Sequence, residues 1–136
     1  MKNFAYLIIL ASLATAINGR AVPKALAVLT KGLHRECASE SKVPEAVITK
    51  GQNGEFSDQP EFKCYLKCLL AKLDLISESS EVDYDGMIRM LSPDIKETGT
   101  KMINDCRGTT GTDSCDTAYN LNICLYNSNP VEYFLV

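Results

Sequence analysis

Six cysteines constrain this chain more than any other feature. They stand at Cys37, Cys64, Cys68, Cys106, Cys115 and Cys124, in the order C-x26-C-x3-C-x37-C-x8-C-x8-C. An even number of cysteines in a short exported domain reads as a disulfide framework, and six of them allow fifteen pairings. One pair can be set aside on geometry. If Cys64 and Cys68 share a helix, their side chains lie one turn apart and point the same way. A disulfide needs β-carbons that face each other at about 3.5–4.5 Å. The helix that carries both cysteines is then stapled to two other parts of the chain, as the central strut of the fold.

Export is read from the first residues, MKNFAYLIILASLATAINGR. Lys2 precedes an apolar run from Phe4 to Leu13, and Ala14-Thr15-Ala16 supplies the small-x-small cleavage pattern. Residues 1–16 are therefore read as a signal peptide, with cleavage after Gly19 as the alternative, and 17–136 as one domain. The run is too short for a membrane span, and no later segment is apolar enough, so no stable membrane insertion is expected. Loss of Lys2 leaves 13 basic against 17 acidic side chains, a net charge of −4. No basic stripe with interleaved aromatics occurs, which argues against nucleic acid as a partner. The sequence also lacks an N-x-S/T glycosylation site.

Apolar residues recur at helical spacing almost throughout, and no alternating run marks a strand. Six helices are expected. The first runs from near Pro23 to Cys37 and the second from Pro44 through Ile48, ended by a Gly51–Gly54 loop. The third starts at Pro60, with proline in the first turn, and carries Phe62, Cys64, Leu66, Cys68, Leu69, Leu70 and Leu73. Apolar over more than half its circumference, it is expected to be buried on more than one side. Ser77–Asp83 reads as an acidic, solvated stretch. A fourth helix spans Asp85–Leu91, a fifth opens at Ser92-Pro93, and a sixth is capped by Thr112 or Asp113 and stopped by Pro130. The tail then ends in four consecutive apolar residues, Tyr133 to Val136. Exposing them would forfeit roughly 1.5–3 kcal/mol for each large side chain, so they are expected to pack on the core or to form the wall of a cavity.

With its signal peptide, all-helical pattern and cysteine series, the chain resembles the insect odorant-binding protein family of pheromone-binding and general odorant-binding type. The C-x3-C of the third helix and the paired x8 intervals are the specific elements. Cys64-Tyr-Leu-Lys-Cys-Leu-Leu70, Tyr119-Asn-Leu121 and the ending Tyr-Phe-Leu-Val are similar to the antennal pheromone-binding proteins of bees and wasps. The resemblance implies an all-α, six-helix, disulfide-stapled domain enclosing an apolar cavity, with the C-terminal tail as lid or wall. It implies the pairing Cys37–Cys68, Cys64–Cys115 and Cys106–Cys124. It further implies a secreted carrier, in sensillar lymph or another extracellular fluid, that binds small hydrophobic volatiles and delivers them to chemosensory receptors as a monomer or weak homodimer.

The candidate ligand-binding residues are Leu26, Leu29, Leu33, Leu66, Leu70, Leu73, Met87, Met90, Leu91, Met102 and Leu121, shared between a cavity wall and ordinary packing, together with Tyr133, Phe134, Leu135 and Val136. Methionines suit ligands that differ slightly in shape. Tyr119 and Tyr133 are candidates to offer a hydroxyl to a ligand headgroup. His34, the one histidine, has no metal or catalytic partners signalled nearby and reads as structural or surface, with pH sensing as its alternative role. No enzyme motif is present, neither H-E-x-x-H, G-x-S-x-G nor C-x-x-C. The spacings fit no zinc or EF-hand site, so no metal and no cofactor is expected. Two rival classes are a non-sensory secreted lipid or metabolite carrier and a secreted interaction or defence protein without a true ligand.

Overall fold

The computed structural model describes residues 27–136. The signal segment, its cleavage positions, the start of the first expected helix and Leu26 lie outside the described residues.

Among the described residues the chain folds into six α-helices: α1 (Ala27–Ser41), α2 (Glu45–Gln52), α3 (Pro60–Lys72), α4 (Tyr84–Arg89), α5 (Lys96–Asp105) and α6 (Ser114–Ser128), with a short 3₁₀ turn at Pro93–Ile95 leading into α5. Helix α1 runs one turn beyond Cys37. It ends where Lys42 adopts a left-handed φ of 61° and Ser41 Oγ donates to the Cys37 carbonyl at 2.7 Å. Pro44 follows, as prolines do just past a helix C-terminus.

Gly51 belongs to the last turn of α2 rather than to the loop. The reason is packing. A Cβ there would lie 2.5 Å from Phe62 Cζ and 3.2 Å from Leu135 Cδ2. The turn is made instead by Gly54, at φ 86°.

Helix α3 begins with Pro60 in its first turn, where a missing N–H costs nothing. Ser77–Asp83 is not merely solvated. Ile76 and Val82 form an isolated antiparallel bridge, and Ile76 is buried. Ser92 does not cap the helix that follows; its hydroxyl donates to Asp94 Oδ1 at 2.5 Å. Asp113, not Thr112, caps α6, with Oδ1 accepting from Asp116 N–H at 2.8 Å. Asp116 Oδ2 in turn accepts from Thr112 N–H at 2.9 Å, so the two orphan ends satisfy each other.

Disulfides join Cys37 to Cys68, Cys64 to Cys115 and Cys106 to Cys124, across separations of 31, 51 and 18 residues. In the chain-entropy account, loops of this size contribute roughly 3–4 kcal/mol each. Helix α3 packs most extensively on α6 and next on α1, each contact pinned by one of its two cysteines. Phe62, Tyr65 and Leu66 of α3 are buried to 1% exposure or less. Around them Phe56, Phe62, Tyr65, Tyr119, Tyr126 and Tyr133 form a run of edge-to-face and stacked rings.

A polar clamp lies beside the Cys64–Cys115 bridge. Lys63 Nζ donates to Asp116 Oδ1 at 2.9 Å, tying α3 to α6, and sits 4.7 Å from the centre of the Tyr119 ring. The hydrogen bond from Lys63, followed by that from the Thr112 backbone, holds the Asp116 carboxyl below the usual carboxylate range. A depressed folded pKa means that this stabilisation is present above the ordinary range and is lost as pH falls through the depressed value. Asp116→Asn should therefore lower the thermal midpoint near pH 7, with the gap to the parent protein narrowing toward about pH 3. Thermal melts at both pH values test this; a gap that stays constant would contradict it.

A candidate ligand cavity lined by five helices and the tail

Helices α1, α3, α4, α5 and α6 and the tail bound a cavity of about 230 Å³. Leu29 and Leu33 come from α1, and Leu69 and Leu70 from α3, with Leu73 and Leu75 just beyond its end. Met87 comes from α4, with Met90 and Leu91 just past its end, and Met102 and Ile103 come from α5. Tyr133, Phe134, Leu135 and Val136 complete the wall. Leu29 is 46% and Met90 40% exposed, so these two residues mark a rim where the cavity meets solvent.

Helical spacing explains how α3 contributes. Leu66, Leu69, Leu70 and Leu73 stand at i, i+3, i+4 and i+7, one face of a helix. That face is divided. Leu69, Leu70 and Leu73 border the cavity, whereas Leu66 is 1% exposed within the packed core. Leu66 is thus not a lining residue, and neither is Leu121 of α6, which is fully buried. Both sit on the most extensively packed helix pair, α3 and α6, where close packing leaves no space to line.

The tail is held by named bonds. Tyr133 N–H donates to the Asn129 carbonyl at 3.0 Å, and Tyr133 Oη donates to Asn122 Oδ1 at 2.8 Å. Gln52 Nε2 donates to the Leu135 carbonyl at 3.3 Å, and the Tyr65 hydroxyl donates to the Val136 main-chain oxygen. Burial, with the nearby Glu45 charge adding to it, pushes the Tyr65 hydroxyl above the ordinary tyrosine pKa. Burial does the same for Tyr133, with Tyr65 adding to it. Both stay neutral donors.

The Tyr133 and Tyr119 hydroxyl protons are accordingly both taken by protein oxygens. Tyr119 is outside the cavity and donates to the Phe56 carbonyl at 3.1 Å. His34 is also placed. Its Nε2 lies 2.9 and 3.0 Å from the two Glu45 carboxylate oxygens, and its Nδ1 lies 3.0 Å from Tyr65 Oη. The histidine therefore supports the tyrosine that holds the tail.

Reading by residue type did not single out Thr30, Thr98, Asn122 and Glu132, which also border the cavity. Nor did it pick Leu75, Ile95, Ile103 or Leu125. The helical period of α5 offered a signal for one of these polar residues, since Thr98 stands four positions before Met102.

The model of the PBP/GOBP family matches residues 21–128. The chain belongs to the PBP/GOBP family. Among its relatives, odorant-binding protein 10 of Aedes aegypti is 31% identical over 75% of this chain and 74% of its own length. The crystal structure of odorant-binding protein 4 from the predator Chrysopa pallens superposes with a TM-score of 0.76 at 28% identity, covering 85% of this chain and all of that one. Odorant-binding protein 7 of Anopheles gambiae, solved with four disulfide bridges and in complex with an azo compound, gives 0.72 at 26% identity over 81% of this chain and 90% of its own. The all-helical, disulfide-stapled fold of this PBP/GOBP member is thus shared along most of its length.

Seating of the tail on α2 can be tested directly. Gly51→Ala forces a methyl group against the buried Phe62 ring and Leu135, and overpacking of this kind costs about 1–3 kcal/mol. Chemical denaturation should report a loss in that range. A variant as stable as the parent would show that α2 and the tail can shift without cost.

Proposed function

We propose that the protein is a secreted carrier that reversibly binds small hydrophobic molecules, pheromones or general odorants, and solubilises them for delivery to chemosensory receptors. The observation that carries this reading is the leucine- and methionine-lined cavity, with Tyr133–Val136 as part of its wall. The family relationship supports it, as do neighbours named odorant-binding proteins, one of them solved with an azo compound bound. The mature chain in this reading is 17–136, exported into sensillar lymph or another extracellular fluid as a monomer or weak homodimer. It performs no reaction on its cargo.

Physical chemistry makes the cavity useful. An unfilled apolar void destabilises by roughly 24 cal/mol per Å³, on the order of 5 kcal/mol for this volume. The three disulfides offset that, and an apolar ligand removes it by supplying the missing contacts. Leu29 and Met90 at the rim give the ligand a route from water. Methionine there adapts to cargo of different shape. Like α4, the tail is held by hydrogen bonds and burial rather than by a covalent bridge.

Displacement of a fluorescent apolar probe tests the reading. The parent protein should bind such a probe in the micromolar range and release it to volatile alcohols, esters or hydrocarbons. Deleting residues 133–136 should weaken probe binding by about tenfold or more, since each large apolar side chain is worth roughly 1.5–3 kcal/mol of burial. Affinity unchanged by the deletion, with helical content intact, would remove the tail from the site.

A further inference from the structure

Helix α5 and the turn before it turn one face to the cavity. Ile95, Gly99, Met102 and Ile103 stand at i, i+4, i+7 and i+8, and all four border it. Three of them bring large apolar side chains and one brings none. Glycine inside a helix is less favourable than alanine, and Gly99 has no left-handed φ that would call for it. The reason is steric. A Cβ on Gly99 would lie 2.8 Å from Leu91 Cδ1, 3.1 Å from its Cδ2 and 3.5 Å from its Cγ. Leu91, just past the end of α4, therefore rests its side chain in the gap that Gly99 leaves in α5, and it too borders the cavity.

This contact differs from the one at Gly51, where a methyl group would meet a fully buried ring. At Gly99 the close atoms all belong to the end of one leucine, and the open space beside that leucine is the cavity. Its main chain is held. Leu91 N–H donates to the Ile88 carbonyl at 3.2 Å, which also accepts from Lys96 Nζ of α5 at 2.7 Å. A methyl group at position 99 thus displaces a side chain rather than a helix. Volume says what the open gap admits. An engineered apolar cavity of about 150 Å³ takes up benzene, so about 230 Å³ scales to a ligand of about nine or ten heavy atoms.

We propose that Gly99 and Leu91 together set the largest cargo this cavity admits, the glycine by holding the leucine back against α5 and so keeping room for an apolar molecule of about that size. The inference rests on the carrier reading of the same cavity. Two substitutions then act in opposite directions. Gly99→Ala drives Leu91 into the cavity and shortens the longest chain that fits. Leu91→Ala removes the side chain and lengthens it.

Calorimetric titration of the oxidised mature chain with the straight-chain alcohols from hexanol to dodecanol tests this, since one headgroup throughout leaves length as the only variable. In the parent protein, affinity should rise about fourfold per added methylene as far as octanol or nonanol and then level off. Gly99→Ala should end that rise about one or two carbons earlier, and Leu91→Ala about two carbons later. The double variant should return the limit to the parent's, because the leucine that the methyl group would push is gone. A limit that neither single substitution moves overturns the proposal, as does a limit that Gly99→Ala moves to longer chains. Should Gly99→Ala fail to fold, Leu91→Ala decides alone, and a limit no longer than the parent's overturns the proposal. A rise that continues to dodecanol in the parent protein overturns the size limit while leaving the carrier reading in place. Failure of every alcohol to bind the parent protein overturns the carrier reading itself.

Discussion

Two cysteines one helical turn apart set the arrangement of everything else. Cys64 and Cys68 leave the same helix yet bond to different partners, Cys115 in α6 and Cys37 in α1. Helix α3 is therefore fixed between two neighbours, with Phe62, Tyr65 and Leu66 filling the packed side. The rest of its apolar circumference, Leu69, Leu70 and Leu73, faces a gap that close packing would ordinarily remove. Covalent staples act by restricting the unfolded chain, so they add stability without needing contacts inside the cavity. That separation of roles allows a small domain to hold an apolar void.

The tail is a different kind of wall. It carries its own donors and acceptors into a bonded frame of Gln52, Tyr65, Asn122 and Asn129, while its apolar side chains cover the cavity. Tyr65 links this frame to His34 and, through it, to Glu45 on α2. Three segments distant in sequence, α1, α2 and α3, thus converge with the end of α6 on the last residues. The only histidine of the chain is part of that support.

Much of the fold was legible because its signals are local. Pro60 in a first turn, Asp113 before α6 and the glycine pair at Gly51 and Gly54 each mark a boundary within a residue or a few. The C-x3-C spacing excluded a Cys64–Cys68 bond from geometry, whereas the full pairing entered through the family resemblance. What could not be read depends on neighbours. Periodicity gives Leu66 and Leu70 the same face of α3, but only the position of α6 decides that one is core and the other lines space. Leu121, whose spacing suits a wall or the core equally, is placed in the core for the same reason. Ile76 and Val82 pair across a turn too short to show alternation, and Thr98, Asn122 and Glu132 are residue types that ordinarily mark a surface. Tyr119 and Tyr133 read as open to a headgroup because the oxygens that take their protons, the Phe56 carbonyl and Asn122 Oδ1, are set by the packing of separate segments.

Methyl-resolved NMR of the oxidised protein, with leucine and methionine methyl groups labelled, tests the central claim most directly during titration with an apolar volatile. The account predicts shifts at Leu70, Leu73, Met87, Met90 and Met102, with Leu66 and Leu121 essentially unmoved. Shifts scattered over the surface, or centred on Leu66 and Leu121 while the wall methyl groups stay still, would contradict a ligand held between α1, α3, α4, α5, α6 and the tail.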